Sequence, residues 1–198
     1  MNLDLVHDIQ AAYRKTLDSM SRPGLIKNIR HQADKVQMES GCFDSTLVLV
    51  LMLLDTEVKF KVYSEREAEM AKLINQLTYA KATEVESADY ILVLKDAKAE
   101  DLAVALRRAY PGDLLNPHKA ATMIIEADSV SNERNLSLTG PGIETECYID
   151  VKTSDGWVDL RAEKNSEYPM GIDLIFTDRE DNIVCLPRTT QITEQVGG

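Results

Sequence analysis

The chain is short of the residues that build the commonest catalytic and structural signatures. Its 198 residues include three cysteines and three histidines. Cys42, Cys147 and Cys185 are far apart, no CxxC pair occurs, and an odd count argues against a disulfide framework. Two of the three lie in apolar runs, where a buried, inert thiol is the simpler reading. The expected setting is therefore reducing and cytoplasmic. The scattered histidines and cysteines offer no zinc spacing, and GxGxxG, GxxxxGK(S/T), GxSxG and HExxH are all missing. The longest apolar run, Leu47 to Leu54, is eight residues, well below the ~20 that span a bilayer. Positive charge is also scarce: 22 Lys and Arg face 33 Asp and Glu, a net charge of −11. That excludes a broad basic footprint for nucleic acid and disfavours an anionic membrane surface. The N-terminus is polar and acidic, unlike a signal peptide. Any oxyanion site must be a local basic pocket in an acidic protein.

What is present suits an ordinary folded protein. The composition, 44% hydrophobic and 28% charged, supplies a core without disulfides or metal. No internal repeat, low-complexity tract or linker stands out, so a single domain over 1–198 is expected.

Leu5, Ile9, Tyr13, Leu17 and Met20 recur at helical spacing and predict an amphipathic helix over 3–20, ended by Ser21-Arg22-Pro23-Gly24. Residues 25–38 read as irregular or weakly extended. Asp44 and Ser45 are candidate caps for a buried run, Leu47 to Leu54, whose leucine content favours helix, though its length would also fit a buried strand. Val58 to Tyr63 alternates as a half-exposed strand. Ser64 and Glu67 fit a capping box for a helix from 65 to about 77. A strand is expected at 90–94, a helix at 99–110, a strand at 121–127 followed by a polar loop, and a helix at 157–164. Residues 143–155 are ambiguous. Tyr168 to Phe176 and Ile183 to Leu186 form a hairpin pattern around an acidic turn, and Pro187 stops the second strand. Helices alternating with short apolar strands imply an α/β fold: a mostly parallel mixed sheet flanked by helices, with a C-terminal β-hairpin.

Four clusters sit at element ends: Ser21-Arg22-Pro23-Gly24, Asn116-Pro117-His118-Lys119, Thr139-Gly140-Pro141-Gly142-Ile143 and Pro187-Arg188-Thr189-Thr190. Singly, each is explained by turn chemistry, and Arg22 in part by the helix dipole. Together, Arg22, His118, Lys119 and Arg188 with the hydroxyls of Thr189 and Thr190 would suit a phosphate or other oxyanion. Asp173, inside an apolar strand, is read first as solvated, with pairing to Arg188 or Arg22 as the sharper alternative. His118 is read first as a surface residue.

In order, these blocks resemble a known family. Tyr13 to Gly24, Leu53 to Val58, Asn116 to Thr122, Leu138 to Ile143, Tyr168 to Asp173 and Leu186 to Thr190 are similar to the successive signatures of PhnH, a subunit of the bacterial phosphonate carbon–phosphorus lyase system. The resemblance spans nearly the whole chain; it departs from the family at Val58-Lys59, where a proline often stands, and over Glu144 to Trp157. It implies the α/β fold of the large domain of fold-type I pyridoxal phosphate transferases, without that cofactor. It implies action with the PhnG, PhnI and PhnJ subunits, and that the subassembly with PhnG and PhnI, aided by PhnL, replaces the adenine of ATP with an alkylphosphonate to give a ribose 1-alkylphosphonate 5-triphosphate. It places the nucleosidase chemistry in PhnI and the radical step in PhnJ, which leaves this chain an accessory or substrate-positioning role, as a homodimer docked to the others. No catalytic residue is carried over. Two alternatives stand beside it: a nucleotide- or phosphonate-binding catalytic protein in its own right, and a free-standing pyridoxal phosphate enzyme suggested by fold analogy alone.

Overall fold

A computed structural model describes residues 2–153 and 156–195. Its elements in chain order are α1 (His7–Ser21), β1 (Lys27–Asn28), α2 (Arg30–Ala33), α3 (Asp44–Leu53), β2 (Lys59–Tyr63), α4 (Glu67–Thr78), β3 (Lys81–Ala82), β4 (Tyr90–Val93), α5 (Asp101–Arg108), β5 (Thr122–Glu126), β6 (Ser129–Thr139), β7 (Cys147–Lys152), α6 (Trp157–Lys164), β8 (Asp173–Thr177), β9 (Asn182–Leu186) and β10 (Gln191–Glu194).

Seven strands form one sheet in the order β1-β9-β8-β5-β4-β2-β3. The run β3, β2, β4, β5, β8 is parallel. β9 returns antiparallel on β8, and β1 lies antiparallel on β9. The expected mixed, mostly parallel sheet and the C-terminal hairpin are therefore both present. The central strands are apolar on both faces because both faces are covered. Ile91, Val93, Met123, Ile125, Leu174 and Phe176 point to one side, where α5, α6 and a second sheet pack. Phe60, Val62, Leu92, Ile124 and Ile175 point to the other, against α1, α3 and α4.

Several local expectations are corrected. No polar loop follows β5: residues 129–139 form the longest strand, β6. With β7 and β10 it makes a three-stranded antiparallel sheet in the order β10-β6-β7. β6 was hidden because its middle, Asn132 to Asn135, is polar and exposed, and its register shifts between Ser131 and Leu136, so no clean alternation marks it. The ambiguous 143–155 stretch contains β7; its last two residues lie outside the described ones. Within 25–38, β1 and the single turn α2 take shape.

The helix over Leu47 to Leu54 is confirmed as α3, but neither Asp44 nor Ser45 caps it. The Glu126 carboxylate does so from across the fold, accepting from the Phe43 N–H and the Thr46 hydroxyl, both at 2.6 Å. The Ser64–Glu67 capping box does not form. Ser64 Oγ accepts from the Arg66 N–H at 3.0 Å, while Glu67 is drawn outward to Lys61 Nζ at 2.5 Å. Lys61, a cation on the preceding strand β2, takes the carboxylate that the box would direct at a backbone N–H.

Candidate functional site

The four clusters do come together, at the edge of the large sheet where its parallel strands begin. The 21–24 turn ends α1 and lies against the 139–142 turn that ends β6. Gly142, at φ +86°, packs so closely on the Ser21 carbonyl and Pro23 that a Cβ there would overlap both. Gly140, at φ +126°, faces the Thr189 carbonyl, which a Cβ would meet at 2.9 Å. The 187–190 turn, which follows β9, reaches the fourth cluster through Arg188, whose Nη1 donates to the Pro117 carbonyl at 2.7 Å. β10 then pairs with β6, Gln191 opposite Thr139, locking the third and fourth clusters in register.

The side chains meet a different fate from the turns. Arg188 does pair with Asp173, its Nη2 2.6 Å from Oδ2, and the Arg188 N–H donates to Asp173 Oδ1 at 2.7 Å. The pairing alternative is therefore right and the solvated-face reading of Asp173 is overturned. The carboxylate begins β8 beside the antiparallel end of β9, so a cation just past Leu186 falls opposite it. With each side chain no more than 20% exposed, this is a largely desolvated, multiply hydrogen-bonded pair, in which removal of one partner strands the other. Arg22 folds back on Asp18 one turn earlier, and Lys27 reaches the same carboxylate at 2.5 Å; these two cations hold the Asp18 carboxyl below its ordinary range. Thr190 is buried, and its Oγ1 has no hydrogen-bond partner among the described residues. Thr189 is half-buried. His118 and Lys119 stand exposed on a single 3₁₀ turn, Pro117–Lys119. The guanidiniums are thus committed to the fold, and the imidazole and ammonium remain at the surface.

Two residues not singled out in the sequence complete this junction. Arg161 of α6 is 2% exposed and donates from Nη1 to the Thr190 carbonyl at 3.0 Å and from Nη2 to the Pro187 carbonyl at 2.6 Å. Burial brings its guanidinium down to about 10, opposed by nearby Asp173. Asn165, one turn later, bridges the two halves of the hairpin entry. It accepts from the Ile172 N–H at 2.8 Å and donates to the Ile172 and Arg188 carbonyls. The signal for Arg161 is weak in sequence, because a basic residue near a helix C-terminus is ordinary.

The opposite edge, where the parallel strands end, is where open α/β sheets usually bind ligands. The winding reverses between β2 and β4, since the chain goes from β2 outward to β3 and then back to β4 on the other side. Arg66, at the start of α4, crosses this point. Its Nε lies 3.3 Å from Asp96 Oδ2 and its Nη2 donates to the Gly41 carbonyl at 2.7 Å. Gly41, at φ +83°, lies flat against that guanidinium, leaving no room for a Cβ. Beside it, Glu126 also accepts from the Lys95 N–H at 2.8 Å, tying β5, β4 and the start of α3 together. Burial pushes the Glu126 carboxyl up, against the lowering effect of its three donors. A cleft of about 280 Å³ opens next to it, lined by Leu94, Lys95, Lys98, Leu102, Asp128 and Thr153 among others. Lys95 is paired there with Asp128 at 2.7 Å. The thiols are poorly suited to nucleophilic use: burial pushes Cys42 and Cys185 each to about 12, and raises Cys147 as well.

Comparison with known proteins covers nearly the whole chain. The family model described as bacterial phosphonate metabolism protein (PhnH) matches residues 2–193. The putative C-P lyase subunit protein HtxG of Stutzerimonas stutzeri is 28% identical over 186 residues, covering 92% of this chain and 85% of its own. The alpha-D-ribose 1-methylphosphonate 5-triphosphate synthase subunit PhnH of Rhizobium meliloti (strain 1021) is 26% identical over 193 residues, covering 97% of this chain and 94% of its own. From its first helix to β10, this chain belongs to the PhnH family of bacterial phosphonate metabolism.

Proposed function

We propose that this protein is a subunit of a carbon–phosphorus lyase system, supporting the transfer in which an alkylphosphonate replaces the adenine of ATP. Its role there is structural or substrate-positioning, alongside PhnG, PhnI and PhnJ. The observation that carries this reading is the fate of the basic residues at the four-turn junction. Arg188 is held by Asp173 and the Pro117 carbonyl, Arg22 by Asp18, and Arg161 by two carbonyls. Arg188 and Arg161, both largely buried in these contacts, brace the junction, and Arg22 adds a surface pair on α1. The family match and the subunit names of both relatives support the same assignment.

Within this reading His118 and Lys119, exposed beside Arg188, are the groups through which the junction would meet the triphosphate or phosphonate of a substrate held between subunits. The likeness to the large domain of pyridoxal phosphate transferases, the homodimer and the cytoplasmic setting belong to the same reading. The test is reconstitution. Transferase activity of the co-purified subunits should depend on this chain, while the chain alone neither consumes ATP nor yields adenine. His118→Ala with Lys119→Ala should raise the KM of the assembly for ATP or alkylphosphonate several-fold, with its composition unchanged. Full activity of the other subunits without this chain, or turnover by this chain alone, sinks the proposal.

A further inference from the structure

All three nitrogens of the Arg188 guanidinium are engaged inside the protein. Nε and Nη2 face the two oxygens of Asp173, at 3.3 Å from Oδ1 and 2.6 Å from Oδ2, and Nη1 donates to the Pro117 carbonyl at 2.7 Å. The main chain around Arg188 is fixed as closely. Its N–H donates to Asp173 Oδ1 at 2.7 Å, the preceding carbonyl of Pro187 accepts from Arg161 Nη2 at 2.6 Å, and its own carbonyl accepts from Asn165 Nδ2 at 3.4 Å. Gly171, at φ +139°, lets the chain pass: a Cβ there would lie 2.7 Å from Asn165 Oδ1 and 3.1 Å from the Arg188 Cβ. A guanidinium is planar and its donors form a rigid fork. Asp173 takes two tines of that fork, which fixes its plane, and the third then points at Pro117.

What Nη1 holds is the carbonyl that leads into His118. A peptide unit is planar, so the direction of the Pro117 carbonyl sets that of the His118 N–H, and with it how the 117–119 turn presents its side chains. The segment carrying this turn is tied to the fold at both ends. At its start, Asp113 Oδ1 accepts from the Leu115 and Asn116 N–H groups at 2.9 and 2.8 Å, and Tyr110 Oη donates to Asp113 Oδ2 at 2.8 Å. At its end, the Ala121 N–H donates to the Tyr110 carbonyl at 2.8 Å. Between them, the Pro117 carbonyl takes the Ala120 N–H at 3.3 Å and Arg188 at 2.7 Å. The Arg188 contact is the shorter of the two and is charge-assisted. Arg188 thus links Asp173, at the start of β8, to the exposed His118 and Lys119.

We propose that Asp173 is a positioning residue for the His118–Lys119 pair, acting through Arg188, and that Arg188 itself does not touch the substrate. This rests on the subunit reading above, in which that pair meets the triphosphate or phosphonate. It reverses the sign of one mutational effect. Were Arg188 to bind the anion directly, Asp173→Asn would release its guanidinium toward the substrate and lower KM. With Asp173 as the positioning group, the same change loosens the fork and raises KM. The test uses the full chain in the reconstituted assembly, following adenine release at varied ATP, with melting temperatures measured alongside. Asp173→Asn and Arg188→Lys should each raise the KM for ATP several-fold and leave kcat within about twofold. A displacement of about 1 Å is enough for such an effect, and a lysine cannot serve two carboxylate oxygens and a carbonyl together. In the His118→Ala, Lys119→Ala background neither change should raise KM further, because effects passed through one group do not add. Asp173→Asn combined with Arg188→Gln removes both charges, carries the same expectation, and serves where a single variant does not fold. A lowered KM for Asp173→Asn, or a wild-type KM for Arg188→Lys, overturns the proposal, as does an undiminished rise in the background lacking His118 and Lys119. A wild-type KM for the His118→Ala, Lys119→Ala variant would instead sink the reading of that pair as the substrate contact, and this proposal with it.

Discussion

At the scale of single residues, the few buried charges of this protein organise backbone: Glu126 accepts from the Phe43 and Lys95 N–H groups, Asp178 from the Val130 N–H, and Arg161 donates to two carbonyls. Asp173 was legible as an oddity, a carboxylate in an apolar strand. Arg188 was legible as a cation past a strand end, because antiparallel pairing puts the start of β8 opposite the end of β9. Glu126 was not singled out. It closes the apolar run of β5, where an acidic terminator looks ordinary, and its partners Phe43, Thr46 and Lys95 come from two other segments. The sign of its pH effect follows from burial, which raises its folded-state pKa. A carboxyl raised on folding favours the protonated folded form. Its contribution is fully present below the unfolded value, near 4.3, and is lost as pH rises through the folded value. Wild type should therefore lose stability relative to Glu126→Gln as pH rises from about 4 toward 7. At neutral pH the amide sets an N–H against the Lys95 N–H or the Phe43 N–H, costing about 1–3 kcal/mol. Urea unfolding of both proteins across that range measures each effect, and a difference that grows with pH would contradict the assigned shift.

At the scale of elements, the sequence was read well where one face is apolar and badly where partners are distant. α3, α6, β2, β4, β5 and the hairpin stood out by run length and period. β6, β7 and β10 did not, because a bulged, polar ribbon is specified by its partners and its turn more than by its own alternation. The turn is where this can be tested. Gly142 has a positive φ and also faces the Ser21 carbonyl and Pro23, whereas Gly156, at φ +76° before α6, has nothing within 4 Å of a Cβ among the described residues. Gly142→Ala should cost about 3 kcal/mol, combining backbone strain with a clash against rigid backbone, and Gly156→Ala about 1 kcal/mol from strain alone. Thermal unfolding of the two variants separates them; equal losses would mean that the 139–142 turn does not press on the end of α1 as described.

At the scale of the whole molecule, two cores share one sheet. Their side chains alternate along the same strands: Ile91 and Val93 serve one face and Leu92 the other, and Met123 and Ile125 are interleaved with Ile124. Neither face can loosen without withdrawing support from strands that the other needs, so both should unfold together. The single tryptophan gives a local probe, since Trp157 packs 4.9 Å from Phe176 in the α5–α6 core. Leu106→Ala enlarges that core and Leu49→Ala the opposite one, each from a fully buried position, and each should cost 2–5 kcal/mol (an approximate range). In both variants tryptophan fluorescence and far-UV circular dichroism should follow the same denaturant midpoint. A Leu49→Ala protein whose α3 helicity melts before Trp157 is exposed would show that the sheet insulates its two faces, and α1 would then ride on an independently melting half of the molecule.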